Sequence, residues 1–508
     1  MNKNFLVIVF LLSCLQINAQ KKESVKSSLD KIENNSLLPH TLDPQSSVVT
    51  NGQVTIKGTR INYSATAGTL PVWDDKNKIA ASLFYTFYQR TDGGDKSKRP
   101  IVFSFNGGPG SASVWMHIAY TGPKLLNIDE EGYPVQPYGI KDNPNSILDV
   151  ADIVYIDPVN TGFSRIIDST SKMKFFGVND DIKYLAEWLN TFVSQYGLWL
   201  SPKYLIGESY GTTRVSGLAL ELENEQWMYL NGVVLVSPTD LGIKRDGPVG
   251  AALNMPYFAA TAWYHKVLPA DLQQKDLVEM LPEVENFTIN ELLPAISKGG
   301  FLDSGKKQEI AKKMARYSGL SEKFILQNNL RVSPNSFWKE LLRDKGFTIG
   351  RLDSRYLGID RQDAGSRVDY NAELTSWLHS FTPAINYYLR DELNYKTALK
   401  YNMFGSVSPW DDKNNNAGEN LRQAMAQNPY LHVLIQSGYY DGACDYFNAK
   451  FSMWQLDAAG KMKDRLSWEG YRSGHMMYLR NEDLKTSTEH LREFIRNSLT
   501  KPGQAAKY

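Results

Sequence analysis

Gly207-Glu208-Ser209-Tyr210-Gly211 is the stretch whose residue types and spacing could do covalent chemistry. It follows the apolar run Tyr204-Leu205-Ile206 and precedes the helix-compatible Thr212-Thr213-Arg214, so the serine stands where a strand turns sharply into a helix. Small residues at both ends suit such a turn, which brings backbone segments close and lifts the hydroxyl above the sheet. The letters alone are a weak signal, and the junction gives them weight. A serine hydroxyl is a poor nucleophile until a base removes its proton, so a histidine and an orienting carboxylate must follow, in the order Ser, Asp, His for this turn. In the last third of the chain His379, His432 and His490 compete with His475. His379 falls in a helical insertion, His432 begins a buried strand and His490 sits in an amphipathic helix over 487–497. His475 stands in the Gly-flanked loop Arg472-Ser473-Gly474-His475-Met476. Asp441 stands just past the strand Val433-Leu434-Ile435-Gln436, at the end where open α/β sheets keep their sites. Taken singly, a loop histidine and an Asp before Gly442 are more commonly structural.

Phe105-Asn106-Gly107-Gly108-Pro109-Gly110-Ser111 adds a fourth element. Its glycines let backbone amides turn toward a ligand, and acyl transfer needs such donors for the oxyanion of its tetrahedral intermediate; losing one costs about 3 kcal/mol. The loop lacks the Gly-Lys-Ser/Thr ending of a phosphate loop, and the chain has no His-Glu-x-x-His pair. No metal and no cofactor is expected.

The positioning elements are short apolar runs: Ile101-Val102-Phe103-Ser104-Phe105, Ile153-Val154-Tyr155-Ile156, Tyr204-Leu205-Ile206, Val233-Val234-Leu235-Val236 and Val433-Leu434-Ile435. Runs without alternation suit strands buried on both faces of a parallel sheet. Helical patterns over 182–196, 214–222 and 447–458 lie between several of them, which points to an α/β fold. Residues 60–65 and 80–90 read as antiparallel strands at a sheet edge. From 245 to 400 the alternation gives way to helical segments, read as a cap insertion over one edge of the sheet. It divides the α/β core into 51–244 and 401–508.

Charge is nearly balanced, 56 Lys plus Arg against 55 Asp plus Glu, so no field draws in nucleic acid or an anionic membrane. Aromatic residues make up 12% of the 508-residue chain, which argues against disorder. Residues 1–19 have a signal-peptide layout, with Lys3, an apolar run over 5–12 and Ala19 before Gln20. That run is well short of the ~20 residues needed to span a bilayer. The expectation is export to the periplasm or the extracellular space; Cys14 also offers a lipid-anchor site, a minority reading. Residues 20–50 read as a polar tether. After leader removal Cys444 is the one thiol left, so no internal disulfide is expected.

Together these motifs resemble the serine carboxypeptidase family, α/β-hydrolase-fold peptidases that remove C-terminal residues. Four blocks match in order: Asn106-Gly107-Gly108-Pro109-Gly110; Asp157-Pro158-Val159-Asn160-Thr161-Gly162-Phe163-Ser164; Gly207-Glu208-Ser209-Tyr210-Gly211; and Gly438-Tyr439-Tyr440-Asp441 with Gly474-His475-Met476. The resemblance spans about 80–480 and suggests a secreted, bacterial member with a mostly parallel central sheet. It implies Ser209 as nucleophile, His475 as base and then acid, Asp441 as orienter, and the amides of Gly108 and Tyr210 as oxyanion hole. It further implies that Asn106 and Glu208 bind the terminal carboxylate of a peptide substrate, and that Cys444 lines a pocket. Two departures stand out. Ser111 replaces a family cysteine, and Tyr120 falls where a second recognition Glu is usual. A phenol stays protonated below about pH 10, so Tyr120 could hold a substrate carboxylate at neutral pH, with His475 setting a rise in activity from pH 5 to a plateau at about 7 to 8. The same acyl-enzyme would serve an esterase or an acyltransferase, and a catalytically inactive binding protein on this fold is a further alternative. The oligomeric state is left open.

Overall fold

A computed structural model describes residues 38–169, 174–501, 503, 505, 507 and 508. The leader over 1–19, Cys14 and residues 20–37 of the expected tether lie outside the described residues. The chain divides into two compact units. In the smaller, the backbone of Ala398 and the Thr397 hydroxyl donate to Pro39 O at 3.0 and 3.1 Å. The larger, 42–395 with 400–508, holds every element described below.

Nine strands of a mixed sheet position the site: β1 (Ser46–Ile56), β2 (Thr59–Trp73), β3 (Ile79–Arg90), β4 (Ile101–Phe105), β5 (Asp152–Ile156), β6 (Lys203–Glu208), β7 (Gly232–Val236), β8 (His432–Gly438) and β9 (Leu466–Tyr471). Their order across the sheet is β1-β2-β3-β5-β4-β6-β7-β8-β9, and the two-residue strand Arg165–Ile166 pairs with β3. From β5 to β9 all neighbours are parallel, while β1, β2 and β3 join antiparallel. This is an α/β-hydrolase fold with a mostly parallel sheet. Strands β4 to β7 are buried along their whole length, because helices cover both faces of a parallel sheet. Strand β1 begins at Ser46 and alternates exposed and part-buried residues, so the segment read as a tether to residue 50 ends earlier, in an edge strand.

Helix α1 (Val178–Tyr196) buries Leu185, Trp188, Leu189 and Phe192, and helix α2 (Tyr210–Glu225) buries Val215, Leu218, Ala219 and Leu222. Both sets recur at three- and four-residue steps, the spacing of one helix face, and both join the core that runs under the sheet. Between β7 and β8 the chain is mainly helical from Pro248 to Glu392, ending in α3 (Ala372–Tyr387) and its continuation, and interrupted by a small hairpin, Thr348–Ile349 with Leu357–Gly358. This insertion has a second core, in which Phe258, Phe337 and Trp338 join Tyr439 and Tyr440 of the β8 loop. The last helix, α4 (Asn481–Asn497), buries Leu484, Leu491 and Ile495. Among the described residues no helix is long and apolar enough to cross a membrane. The loops carrying Asn106, Ser209, Asp441 and His475 all leave the C-terminal ends of parallel strands, β4, β6, β8 and β9, where such sheets leave room for ligands.

Candidate active site

Ser209 sits on the turn between β6 and α2 with φ 59° and ψ −129°, a conformation that costs a non-glycine residue about 1 to 3 kcal/mol. The turn is held from both sides: Ser209 N donates to Val236 O at 3.0 Å, and its carbonyl accepts from Thr212 N and Thr212 Oγ1 at 2.9 and 2.6 Å. A Cβ on Gly207 would lie 2.1 Å from Gly211 O, and one on Gly107 would lie 2.5 Å from Tyr210 N. The glycines therefore let the turn close on itself and let the 106–113 loop pass against it. Ser209 is part-exposed at this junction.

Asp441 and His475 meet across the ends of β8 and β9. His475 Nδ1 lies 2.6 Å from Asp441 Oδ2, and Asp441 Oδ1 accepts from the amides of Ala443 and Cys444 at 2.8 and 3.1 Å. With Asp441 fully buried, this pairing assigns the Nδ1 proton to the Asp441 side and leaves Nε2 free to act as a base. Burial by itself would lower His475. The Asp441 carboxylate facing it, with a smaller push from Glu208, outweighs that and holds the imidazole above its ordinary value. The competing histidines lie elsewhere: His432 at the start of β8, His490 on α4 beside Tyr471, His379 on α3.

The 106–113 loop is anchored from below by α2. Arg214 is buried, pairs with Asp181 at 2.7 Å, and donates to Asn106 O at 2.6 Å and Pro109 O at 3.4 Å. Its guanidinium also lies over the Tyr210 ring at 5.1 Å. Gly108 has φ +106°, a backbone state that suits glycine. Asp157, which opens another matched block, accepts from Ser113 N at 2.8 Å, and burial pushes its carboxyl up to about 7.

Glu208 is buried beside Ser209 with both oxygens occupied: Asn106 Nδ2 donates to Oε1 at 2.8 Å and the Tyr478 hydroxyl to Oε2. Burial pushes the Glu208 carboxyl up to about 7, against the His475 charge and the two donors, which favour the ionised form. Tyr120 does not take the expected role, since its hydroxyl donates to Gln436 Oε1 at 2.7 Å. The fold aims that side chain along the sheet end, where Gln436 continues on to Tyr471.

Sequence reasoning missed the support that the insertion gives the loops of Asp441 and His475. His475 N donates to Leu352 O at 2.6 Å, Gly442 N to Arg351 O at 2.9 Å, and Ser354 N to Tyr440 O at 3.0 Å. Leu352 N in turn donates to Glu373 Oε1 of α3 at 2.8 Å, while buried Glu373 Oε2 has no hydrogen-bond partner among the described residues. No motif marks Leu352 or Glu373. Cys444 lines a cavity of about 480 Å³ with Thr239, Arg245, Asn254, Pro334 and Asp445, to which the insertion contributes one wall. Asp441, Cys444 and His475 also have ligand atoms within 4.8 Å of one another, a spacing the sequence did not disclose, although Asp441 and His475 already spend facing atoms on each other.

A family model described as serine carboxypeptidase matches residues 56–486. The chain is 29% identical over 189 residues to serine carboxypeptidase-like 31 of Arabidopsis thaliana, 35% of this chain and 36% of that protein. It is 31% identical over 156 residues to the retinoid-inducible serine carboxypeptidase of Homo sapiens, 30% of this chain and 31% of that one. The matched stretches thus span about a third of these relatives' length. Both are eukaryotic and give the expected bacterial source no support. The crystal structure of Kex1(delta)p, a prohormone-processing carboxypeptidase of Saccharomyces cerevisiae, is similar in fold, with a TM-score of 0.51 at 15% identity over 87% of this chain and 93% of that one.

Proposed function

The chain belongs to the serine carboxypeptidase family, and from that premise we propose that it releases C-terminal residues from peptides through an acyl-enzyme formed on Ser209. The observation that carries this reading is the buried 2.6 Å pairing of His475 with Asp441, on loops that leave the same end of the sheet as the strained Ser209 turn. Ser209 Oγ attacks the carbonyl carbon of the last peptide bond while His475 Nε2 takes its proton, and Asp441 stabilises the imidazolium. The carbonyl oxygen becomes an oxyanion, received by the amides of Gly108 and Tyr210. His475 then gives its proton to the departing amine as the C–N bond breaks. Water enters by the same route, with His475 as base, and frees the shortened peptide and Ser209. Asn106 and Glu208 receive the terminal carboxylate, which restricts cleavage to the last bond.

The N-terminal Lys3, the apolar run over 5–12 and Ala19 support export to a periplasmic or extracellular site as part of the same proposal.

The test is a blocked dipeptide assayed against its C-terminal amide and against a simple ester. A carboxypeptidase prefers the free acid, whereas an esterase turns over the ester and ignores the dipeptide. Because nucleophile and base act as a unit, Ser209→Ala and His475→Ala should each lower kcat by about 10⁴ or more, with the double variant little worse. Near-normal turnover by Ser209→Ala would remove the covalent mechanism.

A further inference from the structure

Tyr478 stands three residues beyond His475, in the single turn Met477–Leu479, and is fully buried. Its ring lies flat against Tyr120, with centroids 4.6 Å apart and planes 9° from parallel. The two stacked rings point their hydroxyls differently: Tyr120 toward Gln436 and Tyr478 toward Glu208 Oε2. A phenol has one hydrogen to donate, and the stack leaves the Tyr478 ring little freedom to aim it elsewhere. Asn106 holds the other carboxyl oxygen.

We infer that Tyr478 is a specificity-determining residue, which pins Glu208 Oε2 as an acceptor in both ionisation states and so directs the proton Glu208 takes up to Oε1, beside Asn106. This rests on the proposal that Glu208 receives the substrate's terminal carboxylate. A carboxylate ligand needs a donor, and an ionised Glu208 would repel it. With Oε2 occupied by the phenol, the protonated Oε1 is the donor left to meet one carboxylate oxygen. A neutral phenol thus holds the recognition carboxyl in place, with no second carboxyl required. The titratable groups facing Glu208 are His475 and Asp441 from the two triad loops, and Tyr478 with Tyr120 behind it. His475 therefore contributes to any pH profile, and an amide substrate is needed as reference.

The experiment compares kcat/KM against pH for a blocked dipeptide and its C-terminal amide, using the purified full chain. In Tyr478→Phe the ionised form of Glu208 loses a donor, so Glu208 stays protonated to higher pH. The alkaline fall for the free acid should move up by about one pH unit, and its KM at pH 6 should rise about tenfold as the carboxyl loses its orientation. The amide's acid limb should hold its position. Tyr120→Phe keeps the stack and loses the hydroxyl's bond to Gln436 but none to Glu208, so it should leave the free-acid limb in place. An unmoved free-acid limb in Tyr478→Phe, or equal shifts for both substrates, would overturn the inference. Glu208→Gln separates the two levels. If it treats free acid and amide alike, the assignment of Glu208 fails; if it discriminates while Tyr478→Phe does not, only the role of Tyr478 fails.

Discussion

Replacing Arg214 by Met would test how the glycine loop is held in register with Ser209, the proposed nucleophile. The side chain is fully buried, pairs with Asp181 at 2.7 Å and holds the carbonyl of Asn106 at 2.6 Å. Breaking a buried pair from one side strands the other charge and costs about 3 to 5 kcal/mol. Asp181 keeps hydrogen bonds from Tyr184 at 2.9 Å and Tyr210 at 3.3 Å, which places the loss near the lower figure. At an unfolding entropy of about 2.1 cal/mol/K per residue, a loss of ~3 kcal/mol lowers the thermal midpoint of a chain this long by roughly 3 °C. The catalytic loss has a separate cause. Without the guanidinium the 106–110 carbonyls lose their anchor, Gly108 N drifts from the oxyanion, and kcat should fall by about 10². The variant Asp181→Asn/Arg214→Met removes the stranded charge and should recover part of the thermal midpoint but little of kcat. Thermal denaturation and turnover of an ester, which needs no carboxylate recognition, measure the two effects apart. Recovery of kcat in the double variant would show that Arg214 acts through charge balance alone, and the positioning argument would be wrong.

Three further outcomes are expected. Because His475 is held above its ordinary value while burial puts Glu208 at about 7, kcat/KM for an ester should rise with pH through a midpoint above about 6.5 and stay flat. The free-acid dipeptide should instead give a bell whose two midpoints belong to the coupled pair, and an optimum below about pH 5 would contradict this. Asp157, Glu208 and Glu373 are each pushed up to about 7 by burial, so between about pH 4 and 7 the folded chain keeps protons that the unfolded chain has released, and stability falls as pH rises through that window. His475, also raised, contributes stability that is lost at higher pH, in the same direction. The thermal midpoint should be higher near pH 5.5 than near pH 8, since the carboxyls lowered by surface partners, such as Asp271, are exposed and count for little; the reverse order would refute the assignment. Glu373→Ala leaves the part-buried Leu352 N without its acceptor, at a cost of about 1 kcal/mol, loosening the segment that holds His475, whereas Glu373→Gln keeps the acceptor. Calorimetry and ester turnover should rank Gln above Ala, and identical behaviour would show that this bond does not position the triad.

Much of this protein was legible in the order of its residues. Fully buried strands of a parallel sheet must be apolar on both faces, so β4 to β8 stand out as runs bounded by turn residues. Ser209 and the Gly107 loop were legible because a tight turn and a close backbone approach restrict which residues can occupy them. Asp441 could be picked out because it follows a strand at the end where the sheet leaves room, and His475 because it stands in a Gly-flanked loop; the strand β9 that precedes it was not read. Strand β1 was missed because edge pairing tolerates a polar, weakly alternating sequence such as Ser46-Ser47-Val48-Val49-Thr50.

What only the tertiary structure decided is where side chains point and what backbone supports them. Tyr120 and Tyr478 are both buried tyrosines near Glu208, and nothing in their sequence neighbourhoods says which hydroxyl reaches it. The answer depends on a stack between rings more than 350 positions apart in the chain. Likewise Leu352 holds His475 through a main-chain carbonyl, a group that every residue carries and that leaves no mark on residue type. Glu373 supports that segment from a helix ordinary in composition, and Arg214 reads as one more residue of α2 until the fold places it under the 106–113 loop. Residue type records what a position must be chemically. Contacts between distant segments are set by packing, which depends on all the residues at once.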